Sequence, residues 1–453
     1  MVETSPMSLH RSLFSTFLIL IAVLGAVSCG RRAGKTELSQ DRLVVITPHP
    51  GPLLTEFGNA FQKYYRGKFG KELTIDWLDL GGSSDMLKFI HSEFSKKPAG
   101  IDVDLLWGGG TVPYLTLKKD QLLQTYHPPR EILQRIPKEI GGIPLYDPDL
   151  NWFGTTLNSF GFICNRSLFD KKGIPLPARW SDLGNPAYAG MIGSGDPRHS
   201  GSTYTIYAII LQAYGWEGGW SHLMRMGGNV RNFTAHSSDS VRDVVSGDCL
   251  CALSIDYYAW AKLEEYGFDK LSFILPDLTV MDADSVALLK GAPHRQAAEE
   301  FVAFLLSPAG QKLWLIPHGN PEGPEKTTLA HMSLLPSLYD ELKGRTTIPN
   351  PFPAKGVLSF SHDEANRLRN VVNDMIGTFI IDIKGDLNRV WQAGIRKGMP
   401  EAFIQEFAKI PVNKDQALQY ASQWDDPVLR NKVINEWHTY NRWKIEKLER
   451  LAE

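Results

Sequence analysis

Apolar and polar positions along the chain follow two alternating rhythms. "RLVVITP" (42–48) is a short continuous apolar run that ends in a Pro-His-Pro-Gly turn, the pattern of a buried strand. "LLTEFGNAFQKYYRGKFG" follows, with Leu54, Phe57, Phe61 and Tyr64 at three-to-four spacing, the mark of an amphipathic helix. "ELTIDWLDLGGSSD" repeats the strand and enters a Gly-Gly-Ser-Ser loop, and "MLKFIHSEF" repeats the helix. "DVDLLWGGGT" is a third strand, closed by three glycines. This strand, small-residue loop, helix order predicts an α/β fold with parallel-type sheets and functional loops at the strands' C-terminal ends.

The rhythm changes near residue 150. "NWFGTTLNSFGFICN" reads as two extended runs and as a crossover. A second α/β unit is expected after it, with "MIGSGDPRHSGST" and its helix, the helix "VRDVVSG" and a strand written "CLCALSIDYYAW". After "FILPDLTVMDADSVALLKGAPH" the chain returns to the first unit through the helix "RQAAEEFVAFLLSPAGQKLW". Two lobes joined by two crossings make a clam whose cleft is the expected ligand site. Beyond the Pro-rich break "TTIPNPFPAKG" (346–356), Ser361 and Glu364 are spaced as a capping box. A stripe of Leu368, Val371, Val372, Met375, Ile376 and Phe379 lies behind them. Two later helices are predicted near 414–423 and 427–450, the last carrying Trp437, Tyr440 and Trp443. These apolar faces are expected to pack on the main body, with partner docking as the alternative.

The expected organisation is a signal peptide over 1–28, a lipidated tether over 29–41, and lobe 1 over 42–146. Lobe 2 then spans 147–275, lobe 1 returns over 276–345, and a helical C-terminal extension covers 346–453. A length of 453 residues fits two or three domains. The N-terminal signal has a basic start at His10 and Arg11, an apolar run from Leu13 to Val27, and small residues before Cys29. "AVSC" reads as a lipobox that makes Cys29 the acylated first residue of a mature, membrane-anchored, extracytoplasmic protein; a plain signal cleaved near Ser28 is the alternative. A net charge of −2 gives no reason to expect nucleic acid or an anionic membrane surface as partner.

Cys164, Cys249 and Cys251 are an odd set, which argues against a disulfide framework. Cys249 and Cys251 alternate along the apparent strand and are expected to face one side as buried small hydrophobes, a bridge from either to Cys164 being the alternative. No nucleophile elbow, P-loop, zinc-helix motif or dinucleotide fingerprint occurs in the sequence, so an enzyme is the weaker functional class.

The "DPRHSGST" loop (196–203) caps a helix, and the same physics offers that helix end to an anion. Ser200, Gly201, Ser202 and Thr203 let a phosphate, sulfonate or carboxylate approach the backbone closely, and Gly81, Gly82, Ser83 and Ser84 offer a matching loop from the other lobe. Arg198 either adds charge there or is solvated. A tyrosine from the pair Tyr257 and Tyr258 is placed to stack on an organic solute. A cationic solute such as a polyamine is the third possibility, with Asp256, Asp282 and Asp284 as counter-charges.

Taken in order, "AVSC", "DLGGSSD", "DVDLLWGGG", "GDPRHSGST", "SIDYYAW" and "VALLKGAPHRQAAEEFVAFLLSPAGQKLW" resemble the extracellular solute-binding proteins of bacterial ABC importers, in the branch that includes the ferric-iron binders. The resemblance covers roughly 40–340 and implies a two-lobed type II clam that closes on its ligand without chemistry. It further implies a monomer that docks on an ABC permease driven by an ATPase; a sensor in place of the importer is the alternative. If Fe(III) is the transported ligand, the resemblance makes His49, Tyr257 and Tyr258 its ligands. The carboxylate that the iron binders add from the next loop is missing here, where Gly108, Gly109 and Gly110 stand, with Asp256 or Asp282 as a substitute. Gly109 then remains as a backbone contact.

Overall fold

The computed structural model describes residues 40–353 and 358–453. The signal segment, Cys29 and the tether up to Ser39 lie outside the described residues.

Lobe 1 opens with strand β1 (Gln40–Ile46), helix α1 (Gly51–Phe69), strand β2 (Glu72–Leu78), helix α2 (Ser83–Lys96), strand β3 (Leu105–Trp107) and helix α3 (Val112–Lys119). Helix α1 buries Leu53, Leu54, Phe57, Phe61 and Tyr65, and ends at Gly70, whose φ of 67° places it in the left-handed region where its N–H caps Arg66 O at 2.8 Å. Strands β2, β1 and β3 are parallel neighbours.

The crossover is a single strand, β4 (Phe153–Asn165), and not two runs. Nearly all of it is buried on both faces. It stays continuous because glycine admits a neighbouring backbone: a Cβ on Gly161 would lie 2.1 Å from Ile274 O.

Lobe 2 contains β5 (Ile192–Gly195), α4 (Gly201–Ala213), α5 (Gly215–Asn229), β6 (Val230–Thr234), α6 (Ser237–Ser246), β7 (Cys251–Ile255), α7 (Asp256–Tyr266) and β8 (Leu271–Ile274). Strand β9 (Met281–Leu289) and helix α8 (Arg295–Leu306) return to lobe 1.

One sheet path, β2-β1-β3-β9-β4-β7-β5-β6, runs through both lobes. Strands β5, β6 and β7 are parallel, whereas β9 is antiparallel to β3 and β4, and β4 is antiparallel to β7 and β8. The parallel reading therefore holds inside each lobe and breaks at the crossings. Residues 153–159 of β4 pair with β9, and residues 160–164 pair with β7. The strand changes lobes between Ser159 and Phe160.

The C-terminal region carries four helices after α9 (His362–Ile376): α10 (Lys384–Arg396), α11 (Glu401–Ala408), α12 (Lys414–Ala421) and α13 (Pro427–Ala452). The sequence pattern had missed α10 and α11. The stripe from Leu368 to Phe379 is buried in one apolar cluster with lobe-2 residues such as Ile206, Trp220 and Met224. Trp216 Nε1 donates to Val412 O at 2.8 Å and Trp391 Nε1 donates to Asn229 Oδ1 at 2.7 Å, whereas Trp220 Nε1 in the same seam has no partner. Ser361 caps α9 by accepting from Glu364 N at 3.2 Å, but the reciprocal half of the box is absent. Ser361 N donates instead to Gln212 Oε1, and Glu364 pairs with Lys414.

Cys164, Cys249 and Cys251 are free and buried. Cys251 stands opposite Cys164 in the sheet, while Cys249 precedes β7 and packs in a different cluster. The expectation that Cys249 and Cys251 share a face fails because the strand starts only at Cys251.

Candidate functional site

Parallel strands put the helices that follow them at one sheet edge, with their N-termini together. In lobe 2 this edge collects the starts of α4, α6 and α7. Ser200 Oγ accepts from Thr203 N at 3.3 Å and lies 3.2 Å from Ser202 Oγ, which lies 3.1 Å from Ser237 Oγ. The first turns of α4 and α6 thus meet through two hydroxyls. Each helix start carries a partial positive charge of roughly half an elementary unit. Ser237 escaped the sequence reading because the hydroxyls around it look like any helix cap. Thr203 turns inward, fully buried, with Oγ1 3.0 Å from Ser200 Oγ. Gly201 has open space where a Cβ would go. Arg198 is exposed yet not free: it pairs with Asp196 at 2.8 Å and with Asp382 of the C-terminal region at 3.0 Å. Asp196 above all raises its already high pKa, so its charge is spent within the protein.

Lobe 1 repeats the design with the starts of α1, α2 and α3. His49, just after β1, sets Nδ1 2.9 Å from Thr47 Oγ1 and Nε2 2.9 Å from Asp284 Oδ2, with its ring 4.4 Å from the Trp107 ring. Gly108, Gly109 and Gly110 have φ of 98°, 89° and 79°, a conformation open to glycine. That path lets Gly110 N donate to Asp284 Oδ1 at 2.7 Å and brings Gly109 O to Ser83 Oγ at 3.0 Å. Gly82 precedes α2 as its N-cap residue, and Ser84 lies in its first turn. Burial pushes the Asp284 carboxyl up, but His49 and the Gly110 N–H outweigh it and hold the group below the usual carboxylate range.

The third element is the start of α7. The sequence reading carried β7 through to Trp260, whereas β7 ends at Ile255 and α7 begins at Asp256. Tyr257 and Tyr258 are therefore neighbours on a helical turn, with ring centroids 4.3 Å apart. Tyr257 also stacks on His331 at 4.4 Å and 11°. Burial, then Tyr258, Asp284 and Asp256, raise the Tyr257 phenol well above its ordinary value. Asp256 is buried and accepts from Ser159 N at 2.8 Å, Ser159 Oγ at 2.9 Å and Tyr257 N at 2.8 Å. Burial pushes its carboxyl up to about 7 against these donors. Its bonds pin α7 to β4 at the residue where β4 changes lobes. Asp282 accepts from Thr111 Oγ1 at 2.8 Å.

His49, Asp284, Tyr257, Tyr258 and His331 are thus gathered where the lobes join. The hydroxyl set Ser200, Ser202 and Ser237 forms a second group on the edge of lobe 2. His331 had no signal in the sequence, since it arrives on the return of the chain beside Leu157. No group of three or more His, Cys, Asp or Glu placed to hold a metal occurs among the described residues. Two cavities of about 240 and 400 Å³ lie elsewhere, in the seam between lobe 2 and the C-terminal helices. Both are lined by residues from the starts of α5 and α12.

The family model described as bacterial extracellular solute-binding protein matches residues 114–316. The phosphoglycerate transport regulatory protein PgtC of Salmonella typhimurium is 31% identical over 157 residues, 35% of this chain and 39% of that protein. The alignment thus spans about two fifths of that curated relative. The periplasmic binding protein AfuA from Actinobacillus pleuropneumoniae, solved with fructose-6-phosphate bound, superposes with a TM-score of 0.59 at 19% identity, covering 75% of this chain and 98% of that one. Iron-bound HitA from Pseudomonas aeruginosa gives 0.54 at 21% identity, covering 73% and 99%. The chain resembles bacterial extracellular solute-binding proteins and has the type II periplasmic-binding-protein fold, with the C-terminal helices present in addition.

Proposed function

We propose that this chain is the solute-binding component of an ABC importer, which captures a small phosphorylated organic anion between its lobes and passes it to a membrane permease. The observation that carries this reading is the meeting of the α4 and α6 starts through Ser202 and Ser237, 3.1 Å apart, on the same sheet edge as the start of α7. Converging helix ends supply N–H donors and positive potential without a mobile cation. The phosphate ester bound to AfuA and the name of PgtC support the same class. The binding event leaves the solute chemically unchanged. The protein is exported and held at the membrane through lipid on Cys29.

A second reading, ferric iron, rests on one arrangement: Tyr257 and Tyr258 in contact, within electrostatic reach of Asp284, which is itself bound to His49. In that reading Asp284 takes the place of the carboxylate that the glycine loop lacks.

The test is calorimetric titration with 3-phosphoglycerate, fructose-6-phosphate, inorganic phosphate and ferric citrate, with a visible spectrum of the last. Phosphate esters should bind, and Gly201→Trp should abolish that binding without altering the fold, since its side chain enters open space at the α4 start. A tyrosinate-to-iron band lost in Tyr257→Phe/Tyr258→Phe, with no ester binding, would replace the first reading by the second.

A further inference from the structure

The C-terminal helices lie against lobe 2, yet their first member reaches across to lobe 1. Helix α9 touches α3. On its lobe-2 side the Tyr204 hydroxyl donates to Ala365 O, and the Arg369 guanidinium stands 4.3 Å from the Tyr204 ring centroid. At its N-terminal end, Leu358 N donates to Thr279 O at 2.9 Å, just before β9. The first residue of α9, His362, brings Nε2 to 3.8 Å from Asp282 Oδ1. That distance is too long for a hydrogen bond.

Two buried polar atoms at this point lack a partner. His362 Nε2 is out of contact with solvent and has no hydrogen bond. Asn158 Oδ1 is in the same state, on a residue only 7% exposed. Beside them Asp282 Oδ1 accepts from Thr111 Oγ1 and from Ala283 N, so those two donors engage one oxygen of the carboxylate. Asn158 and Asp282 are direct partners across β4 and β9, so their side chains share one face of the sheet. Asp284, two residues along β9, shares that face and binds His49. Buried polar atoms without partners cost roughly 1–3 kcal/mol each, so a site that keeps them is one that something polar completes.

We infer that Asn158, Asp282 and His362 form a hydroxyl-binding subsite, and that the C-terminal extension thereby supplies a specificity-determining residue to the ligand site. This rests on the phosphorylated-solute reading and narrows it. A carbonyl oxygen and a carboxylate accept hydrogen bonds, which suits the hydroxyls of a sugar or polyol and repels a second anionic group. The solute class is then a phosphorylated sugar or polyol, with its phosphate at the helix starts and its hydroxyls at Asn158, Asp282 and His362.

The experiment compares fructose-6-phosphate, 3-phosphoglycerate and inorganic phosphate by calorimetry on the full chain, His362→Gln and Asn158→Ala, with melting curves to verify folding. The wild type should prefer fructose-6-phosphate to both other probes. His362→Gln should weaken fructose-6-phosphate about tenfold and leave inorganic phosphate unchanged, as loss of one or two hydrogen bonds dictates. Asn158→Ala, made from the opposite strand, should do the same and carries the test if His362→Gln melts early. An unchanged ratio of ester to phosphate affinity in both variants overturns the subsite while leaving the phosphorylated-solute reading intact. A wild type that favours 3-phosphoglycerate overturns the sugar or polyol assignment. Absence of binding to all three overturns the functional reading and this inference with it.

Discussion

Replacing His331 with Phe should invert the order of stability between wild type and variant as the pH falls. His331 is buried, stacked on Tyr257 and set 4.8 Å from the Trp314 ring, with Nδ1 2.6 Å from Leu329 O. Burial lowers its pKa from 6.5 to about 4. The unfolded chain therefore takes up the proton first. The stabilisation is complete above pH 6.5 and is lost as the pH falls towards 4. A shift of that size corresponds to about 3 kcal/mol between the two limits. Phenylalanine keeps the ring stack and loses the bond to Leu329 O, worth about 1 kcal/mol at every pH. The variant should thus be less stable by about 1 kcal/mol at pH 7.5 and more stable by about 2 kcal/mol at pH 4.5. Urea midpoints at pH 7.5, 5.5 and 4.5 give the difference directly. The wild-type profile alone does not isolate His331, because Asp256 acts with the opposite sign. Its carboxyl is raised from 3.8 to about 7, so it favours the folded state as the pH falls through that window. Subtracting the variant removes the Asp256 contribution. Parallel pH profiles for the two proteins would refute a neutral, buried His331.

Two further outcomes are expected. Gly108→Ala adds a Cβ 2.7 Å from His49 Cε1 at a φ of 98°, and should lower stability by about 3 kcal/mol, combining the cost of that backbone region with a displaced His49 and a deprived Asp284. An unshifted urea midpoint would mean that the glycine loop does not press on His49. Cys29→Ser should move the protein from the membrane fraction to the soluble fraction on cell fractionation, and retention in the membrane would exclude the lipid anchor.

Short-range features were open to reading from the chain. The spacing of Leu54, Phe57 and Phe61 marks α1 because a 3.6-residue period must place them on one face. The strand, glycine-serine loop, helix order marks a parallel α/β lobe because a parallel connection needs a crossover. The "HSGST" turn marks a helix start, and Ser200 does cap α4. Where the local pattern was ambiguous, the reading failed. "CLCALSIDYYAW" has the apolar and aromatic content of a strand, yet Asp256 binds Ser159 of β4, and that distant contact fixes the start of α7 in front of the tyrosines. The two runs in 151–165 became one strand because β9, β7 and β8 pair along its length.

By itself, then, the sequence determined the lobes' repeating units, the helix starts rich in small residues and the apolar stripes of the C-terminal helices, all set by neighbours within a few positions. Only the tertiary structure decided which of those pieces meet. Asp284 reaches His49 across 235 positions of chain, His331 stacks on Tyr257, and His362 comes to Asp282 from a helix beyond the second lobe. Periodicity records which face of an element is apolar, whereas the partner of a polar side chain depends on the path of the whole sheet, and no local pattern encodes that path.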